Sequence, residues 1–153
     1  MGLDMYLRLK RHATDDAPWL GAPFDNAHGS DWKCSTKIYD VIEWRKANAV
    51  HKWFVDNVQS GQDDCGRYPV SIDHLHKLRA DCDSALQRYN DRDIEGAAVY
   101  MPTASGFFFG CTDYDEWYAE DLHRTKTVCS KLIQTLKANE GKGYFSVEYE
   151  SSW

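Results

Sequence analysis

Apolar and polar residues alternate at the start of the chain, where Leu3, Met5, Leu7 and Leu9 are separated by Asp4, Tyr6, Arg8 and Lys10. A period of two puts the two sets on opposite faces of an extended backbone, so this segment reads as a half-buried strand central to its sheet. Thr36–Glu43 carries Ile38, Val41 and Ile42 and reads as a second strand. From Trp44 to Val58 the period lengthens, and Ala47, Val50, Phe54 and Val58 share one face of a helix. Glycines and Asp63-Asp64 break the pattern over Gln59–Arg67. A second helix starts at Ser71, a suitable N-cap, and carries the stripe Leu75, Leu78, Cys82, Leu86, Tyr89. Asn90–Gly110 is irregular, with a short strand expected at Ala97–Met101. The third helix is expected to be capped by Thr112 or Asp113, with Asp115 or Glu116 closing a capping box. Its seam is Tyr118, Leu122, Thr125, Cys129, Leu132 and Leu136; Gly141 ends it, and Phe145, Val147 and Tyr149 alternate as the last strand.

The order β–β–α–α–α–β predicts an α+β fold, with helices packed on one face of a small, mostly antiparallel sheet that includes both the first and the last strand. A chain of 153 residues fits a single domain. At that size about 68–70% of the unfolded surface can be buried, so the core needs no covalent staples. Residues 13–35 hold prolines, glycines and polar residues and read as a long loop, which Trp19, Phe24 and Trp32 should pack against the rest.

Net charge is −6, which argues against a nucleic-acid or anionic-membrane partner. Acids gather at Asp113–Asp121 and bases at Arg124–Lys142, an order that complements the dipole of one helix without any ligand. Five cysteines, Cys34, Cys65, Cys82, Cys111 and Cys129, form no C-x-x-C pair, so neither a zinc ribbon nor a redox pair is expected. The strand pattern begins directly at Met1-Gly2-Leu3-Asp4, so no signal peptide is expected, and a reducing, cytoplasmic setting follows. Tyr6 stands where a myristoylation signal needs Ser or Thr.

Catalytic motifs are absent from the pattern: there is no G-x-S-x-G, no H-E-x-x-H and no P-loop. His74 and His76 lie two apart, the wrong spacing for a helical metal pair. His51 sits on the first helix as a polar-face or boundary residue with a possible functional role. Cys111 precedes the third helix, where exposed N–H groups favour thiolate but the acids that follow oppose it. Arg45, Lys46 and Lys52 with Trp53 offer a phosphate-and-base surface, against the simpler reading of a solvated face. Gly106-Phe107-Phe108-Phe109-Gly110 is an apolar loop that either plugs into the core or presents an interaction patch. Six Trp and nine Tyr favour either an aromatic core or a binding surface.

The segments MGLDMYL (1–7), WRKANAVHKWFV (44–55), QDDC (62–65) and GFFFGCTDYDEWY (106–118) together resemble a family of small proteins encoded by tailed bacteriophages and prophages. The resemblance implies an accessory protein acting in the cytoplasm of a bacterial host cell and brings no catalytic residues with it. Such a protein is expected to antagonise a host or anti-phage defence component by binding it. A nucleotide-like small ligand is the alternative and a small enzyme the third reading; self-association as a homo-oligomer stays open. No cofactor or metal is expected. The working surface is placed where the first helix meets the phenylalanine loop and the start of the third helix, with Trp44, Arg45, Asn48, His51, Phe108 and Tyr114 as binding residues. The cysteine count is checked directly: thiol titration of the unfolded, unreduced protein should find all five, and fewer would reveal a disulfide.

Overall fold

The computed structural model describes residues 2–12 and 36–153. The long loop expected at 13–35, with Cys34, lies outside the described residues. In chain order the elements are β1 (Asp4–His12), β2 (Thr36–Arg45), α1 (Asn48–Asn57), β3 (Arg67–Pro69), α2 (Ile72–Asn90), α3 (Ile94–Tyr100), α4 (Glu116–Ala138) and β4 (Tyr144–Ser152). The four strands form one antiparallel sheet in the order β2-β1-β4-β3. The fold is α+β, and β1 occupies a central position.

The alternation in β1 works as its period demands. Leu3, Met5 and Leu7 are fully buried and Leu9 nearly so, joined on the same face by Ile42 and Trp44 of β2 and Val147 and Tyr149 of β4. Each such side chain is worth about 1.5–3 kcal/mol when withdrawn from water. The helices complete this core with Val50 and Phe54 of α1, Leu75, Leu78 and Cys82 of α2, and Leu122, Cys129 and Leu132 of α4. On the other face, Arg8 joins Asp40 and Glu150, and Lys10 joins Glu148, across neighbouring strands. Such half-exposed pairs contribute only about 0.2–1 kcal/mol each, so they fix register more than stability.

Local chemistry sets the helix ends. Ser71 Oγ accepts from His74 N while His74 Nδ1 accepts from Ser71 N, a capping box in which histidine takes the usual glutamate's place. The expected cap of the last helix is displaced along the chain: Asp115, not Thr112 or Asp113, accepts from Tyr118 N at 3.0 Å. Glu116 in its first turn and Lys137 in its last suit the dipole.

Three expectations need correction. Trp44 and Arg45 belong to β2, opposite Met5 and Asp4, because pairing with β1 and burial of the indole outweigh helix propensity. Ala97–Tyr100 is helical in α3, with Met101 as its C-cap, and the helix is started by Asp93, whose carboxylate accepts from Gly96 N at 2.9 Å. An apolar run that short cannot separate strand from helix by period alone. The turn-rich stretch after α1 also ends in a three-residue strand, β3, whose pairing with β4 leaves no local periodic signal.

Because β1 pairs on both sides, deleting residues 1–9 removes two ladders and the centre of the core together. The truncated chain should show no cooperative thermal transition by circular dichroism; a sharp melt would show that β1 is dispensable.

Candidate functional site

The β2–α1 corner, the loop after α3 and the start of α4 enclose a cleft of about 380 Å³. Its β2–α1 wall is Arg45, Lys46, Ala47 and Asn48, and its opposite wall is Gly110, Cys111 and Asp113 with Trp117, Glu120, Asp121 and Arg124 of α4. At the corner Lys46 adopts φ 59°, and its N–H donates to Leu3 O at 2.7 Å, which turns the chain from strand into helix. Gly110, at φ 87°, lies against the Lys46 side chain, where an added Cβ would stand 3.1 Å from Lys46 Cβ. Both the positive φ and the close approach call for glycine.

Asn48 locks the two walls together. Its Nδ2 donates to Phe109 O at 3.1 Å and to Cys111 O at 2.7 Å, and its Oδ1 accepts from Ala104 N at 3.1 Å. The loop thus meets α1 as expected, but it turns carbonyl oxygens towards Asn48, and the residue's polar atoms are used internally. Asn48 is buried and acts as a positioning residue.

The other expected binding residues divide by accessibility. Arg45 lines the cleft with its side chain largely exposed. Trp44 is buried, and its Nε1 donates to Thr125 Oγ1 at 2.9 Å, while Thr125 Oγ1 donates to Asp121 O at 2.7 Å. It ties β2 to α4 and cannot stack on a ligand. His51, expected at a boundary, is only 1% exposed. Its Nε2 lies 3.0 Å from Asp63 Oδ2 and its Nδ1 2.7 Å from Tyr149 OH. An ionised carboxylate only accepts, so Nε2 carries the proton and Tyr149 donates to Nδ1. Burial raises the Tyr149 hydroxyl well above the ordinary tyrosine range, which keeps it a donor. Tyr114 is half-buried; its hydroxyl accepts from Thr103 N at 3.3 Å and its ring meets Tyr118 edge-on. Phe108 is half-buried, and its carbonyl accepts from Leu3 N at 3.2 Å.

The phenylalanine loop takes both of the roles weighed for it. Phe109 plugs into the core against the edge of His51, whereas Phe107 is 94% exposed. Trp53 is buried with its Nε1 on Asp81, so a nucleobase cannot stack on it. Cys111 is exposed, but its thiol donates to Asp113 Oδ2 at 3.0 Å, and that bond raises its pKa. It is a poorer nucleophile than a free thiol, and the one histidine of α1 faces Asp63 and Tyr149 instead of the cleft.

Two cleft residues escaped the sequence reading. Trp117, 75% exposed, sits on α4 next to the buried Tyr118; its only signal is an indole off the apolar seam. Asp121 was visible as one of a run of acids, yet desolvation, only partly offset by Arg124 at 4.0 Å, raises its carboxyl pKa to about 6. The folded value lies above the unfolded one, so the proton Asp121 holds favours folding at pH 4, and that contribution disappears as pH rises through 6. Asp121→Asn should therefore raise stability at pH 7 by about 1–2 kcal/mol, after allowance for partial exposure, and change little at pH 4. Urea unfolding at both pH values measures this; equal effects at the two would refute it.

The chain matches no protein-family model, no curated protein and no solved structure, so a functional reading has to come from the cleft and from the residues themselves.

Proposed function

We propose that this chain is a binding protein that engages a protein of a bacterial host cell, a host enzyme or an anti-phage defence component, and antagonises it by occupying its surface. The observation that carries this reading is the exposure of Phe107 and Trp117 on the two elements that form the far wall of the cleft. Large rings held in water by an ordered framework are the anchors from which protein interfaces draw most of their energy, commonly 2 kcal/mol or more each. Around them the cleft mixes charges: Asp113, Asp115, Glu120 and Asp121 against Arg45, Lys46 and Arg124. Such a lining suits the mixed side chains of a polypeptide and provides a polar rim. The phage-protein resemblance supports the choice of host.

A nucleotide-like ligand is the second reading, favoured by the cleft's volume, which falls within the roughly 300–1,000 Å³ of small-molecule sites. The carboxylates repel phosphate and make it the weaker of the two. Catalysis is weaker still, since the Cys111 thiol is raised and His51 is enclosed. Among the described residues no helix is long and apolar enough to cross a membrane.

The test is affinity capture from host lysate with the tagged chain and with the double variant Phe107→Asp, Trp117→Asp. Both side chains are exposed, so the variant should melt within a few degrees of the parent, yet capture should fall at least about tenfold, equal to 1.4 kcal/mol. Undiminished capture would sink the cleft as the working surface. A melting shift with added nucleotides but no captured protein would establish the second reading instead.

A further inference from the structure

We propose that the core carries a proton-operated switch: when His51 takes up a second proton, the Tyr149 hydroxyl turns from His51 Nδ1 to Ser151 Oγ. The switch works without any partner protein.

Three buried side chains make it up. His51 on α1 is 1% exposed, Tyr149 on β4 is fully buried, and Ser151, two residues further along β4, is 2% exposed. Residues two apart on a strand share a face, so Tyr149 and Ser151 both project into the core. With a neutral imidazole, the polar side-chain atoms of the first two are all used. Nε2–H donates to Asp63 Oδ2 at 3.0 Å, and Tyr149 donates to Nδ1 at 2.7 Å. Ser151 Oγ is the exception. Among the described residues it has no hydrogen-bond partner, although it lies near enough to the Tyr149 hydroxyl to act on its ionisation. A buried hydroxyl without a partner is rare in a folded core. Here it sits beside the donor that loses its acceptor once His51 is charged.

Protonation changes the roles in a fixed order. An imidazolium donates from both nitrogens and accepts at neither. Nδ1–H then donates to the Tyr149 oxygen, and the phenolic hydrogen has to point elsewhere. Ser151 Oγ is the acceptor within reach. The proton comes from solvent, no bond between heavy atoms forms or breaks, and the tyrosine keeps its own hydrogen. The new charge is opposed directly by the Asp63 carboxylate. Tyr149 from β4, with Asp63 and Cys65 from the loop before β3, are the titratable groups that act on the pair. The other neighbours are uncharged: Met5 and Leu7 of β1, the cross-strand partners of Ser151 and Tyr149, Phe54 of α1, and Phe109, whose ring centre is 5.1 Å from the imidazole. Charging His51 thus reverses one hydrogen bond and fills an unused acceptor, while the contact that holds Phe109 in the core stays in place.

The sign of one substitution tests this. At pH 8 Ser151→Ala removes an unused buried hydroxyl, so the chain should melt at the same Tm or a higher one. At pH 5, with His51 doubly protonated, the same substitution strands the phenolic hydrogen and should lower Tm by at least about 2 °C. In a His51→Gln background the substitution should have equal effects at the two pH values, because the group that takes the proton is gone. The other histidines and Asp121 cancel, since each is present with and without the serine. If His51→Gln does not fold, imidazole nitrogen NMR of the unaltered chain reads the same event. In the folded protein Nδ1 should be bare at pH 8 and carry hydrogen at pH 5. The switch is overturned by a loss in Ser151→Ala no greater at pH 5 than at pH 8, or by failure of that variant to fold at pH 8. A pH dependence that survives His51→Gln, or an Nδ1 still bare at pH 5, overturns it equally.

Discussion

A segment without regular structure can lie against an apolar core only if its main-chain polar groups find partners there, because each one left unpaired costs about 1–3 kcal/mol. For the connection between α3 and α4 that requirement falls on the side chain of Asn48. One buried amide satisfies the carbonyls of Phe109 and Cys111 and the N–H of Ala104, groups separated by several residues of loop. With that lock in place Phe109 reaches the core, Phe107 is held in solvent, and the loop stands opposite the β2–α1 corner as a wall. One asparagine, at the first position of α1, thus takes the part that a neighbouring strand takes elsewhere, helped by the bond from Leu3 N to Phe108 O.

A second polar device ties distant parts of the chain together on the other side of α1. His51 links Tyr149 of β4 to Asp63 of the loop before β3, and Asp63 accepts in turn from Trp153 Nε1 at 3.0 Å. Phe54 stacks on Tyr149 with ring centres 3.8 Å apart, so the same ring is held by packing on its face and by hydrogen bonding at its hydroxyl. Networks of this kind favour one arrangement of a core over its alternatives, since every wrong arrangement strands a polar atom. Among the described residues, Trp44, Trp53, Phe54, Phe109, Tyr118 and Tyr149 are the buried rings, and Trp44 adds its bond to Thr125.

Much of the architecture is legible in the residue pattern. Leu3 to Leu9, the α2 stripe from Leu75 to Leu86 and the α4 seam from Tyr118 to Leu132 each repeat long enough to define both element and buried face. The approach of α1 to the phenylalanine loop was legible too. The role of each residue there was not. Trp44 read as helical because the helix pattern after it extends backwards without a break, whereas its partner Met5 across the sheet and Thr125 of α4 hold it in β2. His51 and Asn48 are polar residues on a short helix, and nothing local distinguishes a solvated amide or imidazole from a buried one whose partners lie many residues away in the chain. For Phe107 and Trp117, composition left core and surface equally open. What the sequence determined by itself is therefore periodicity, an interaction that acts within a few residues: the three long strands, the long helices and the α+β class. Tertiary structure alone decided which polar groups are satisfied inside and which rings remain in water, because both depend on partners that only the folded chain brings within reach.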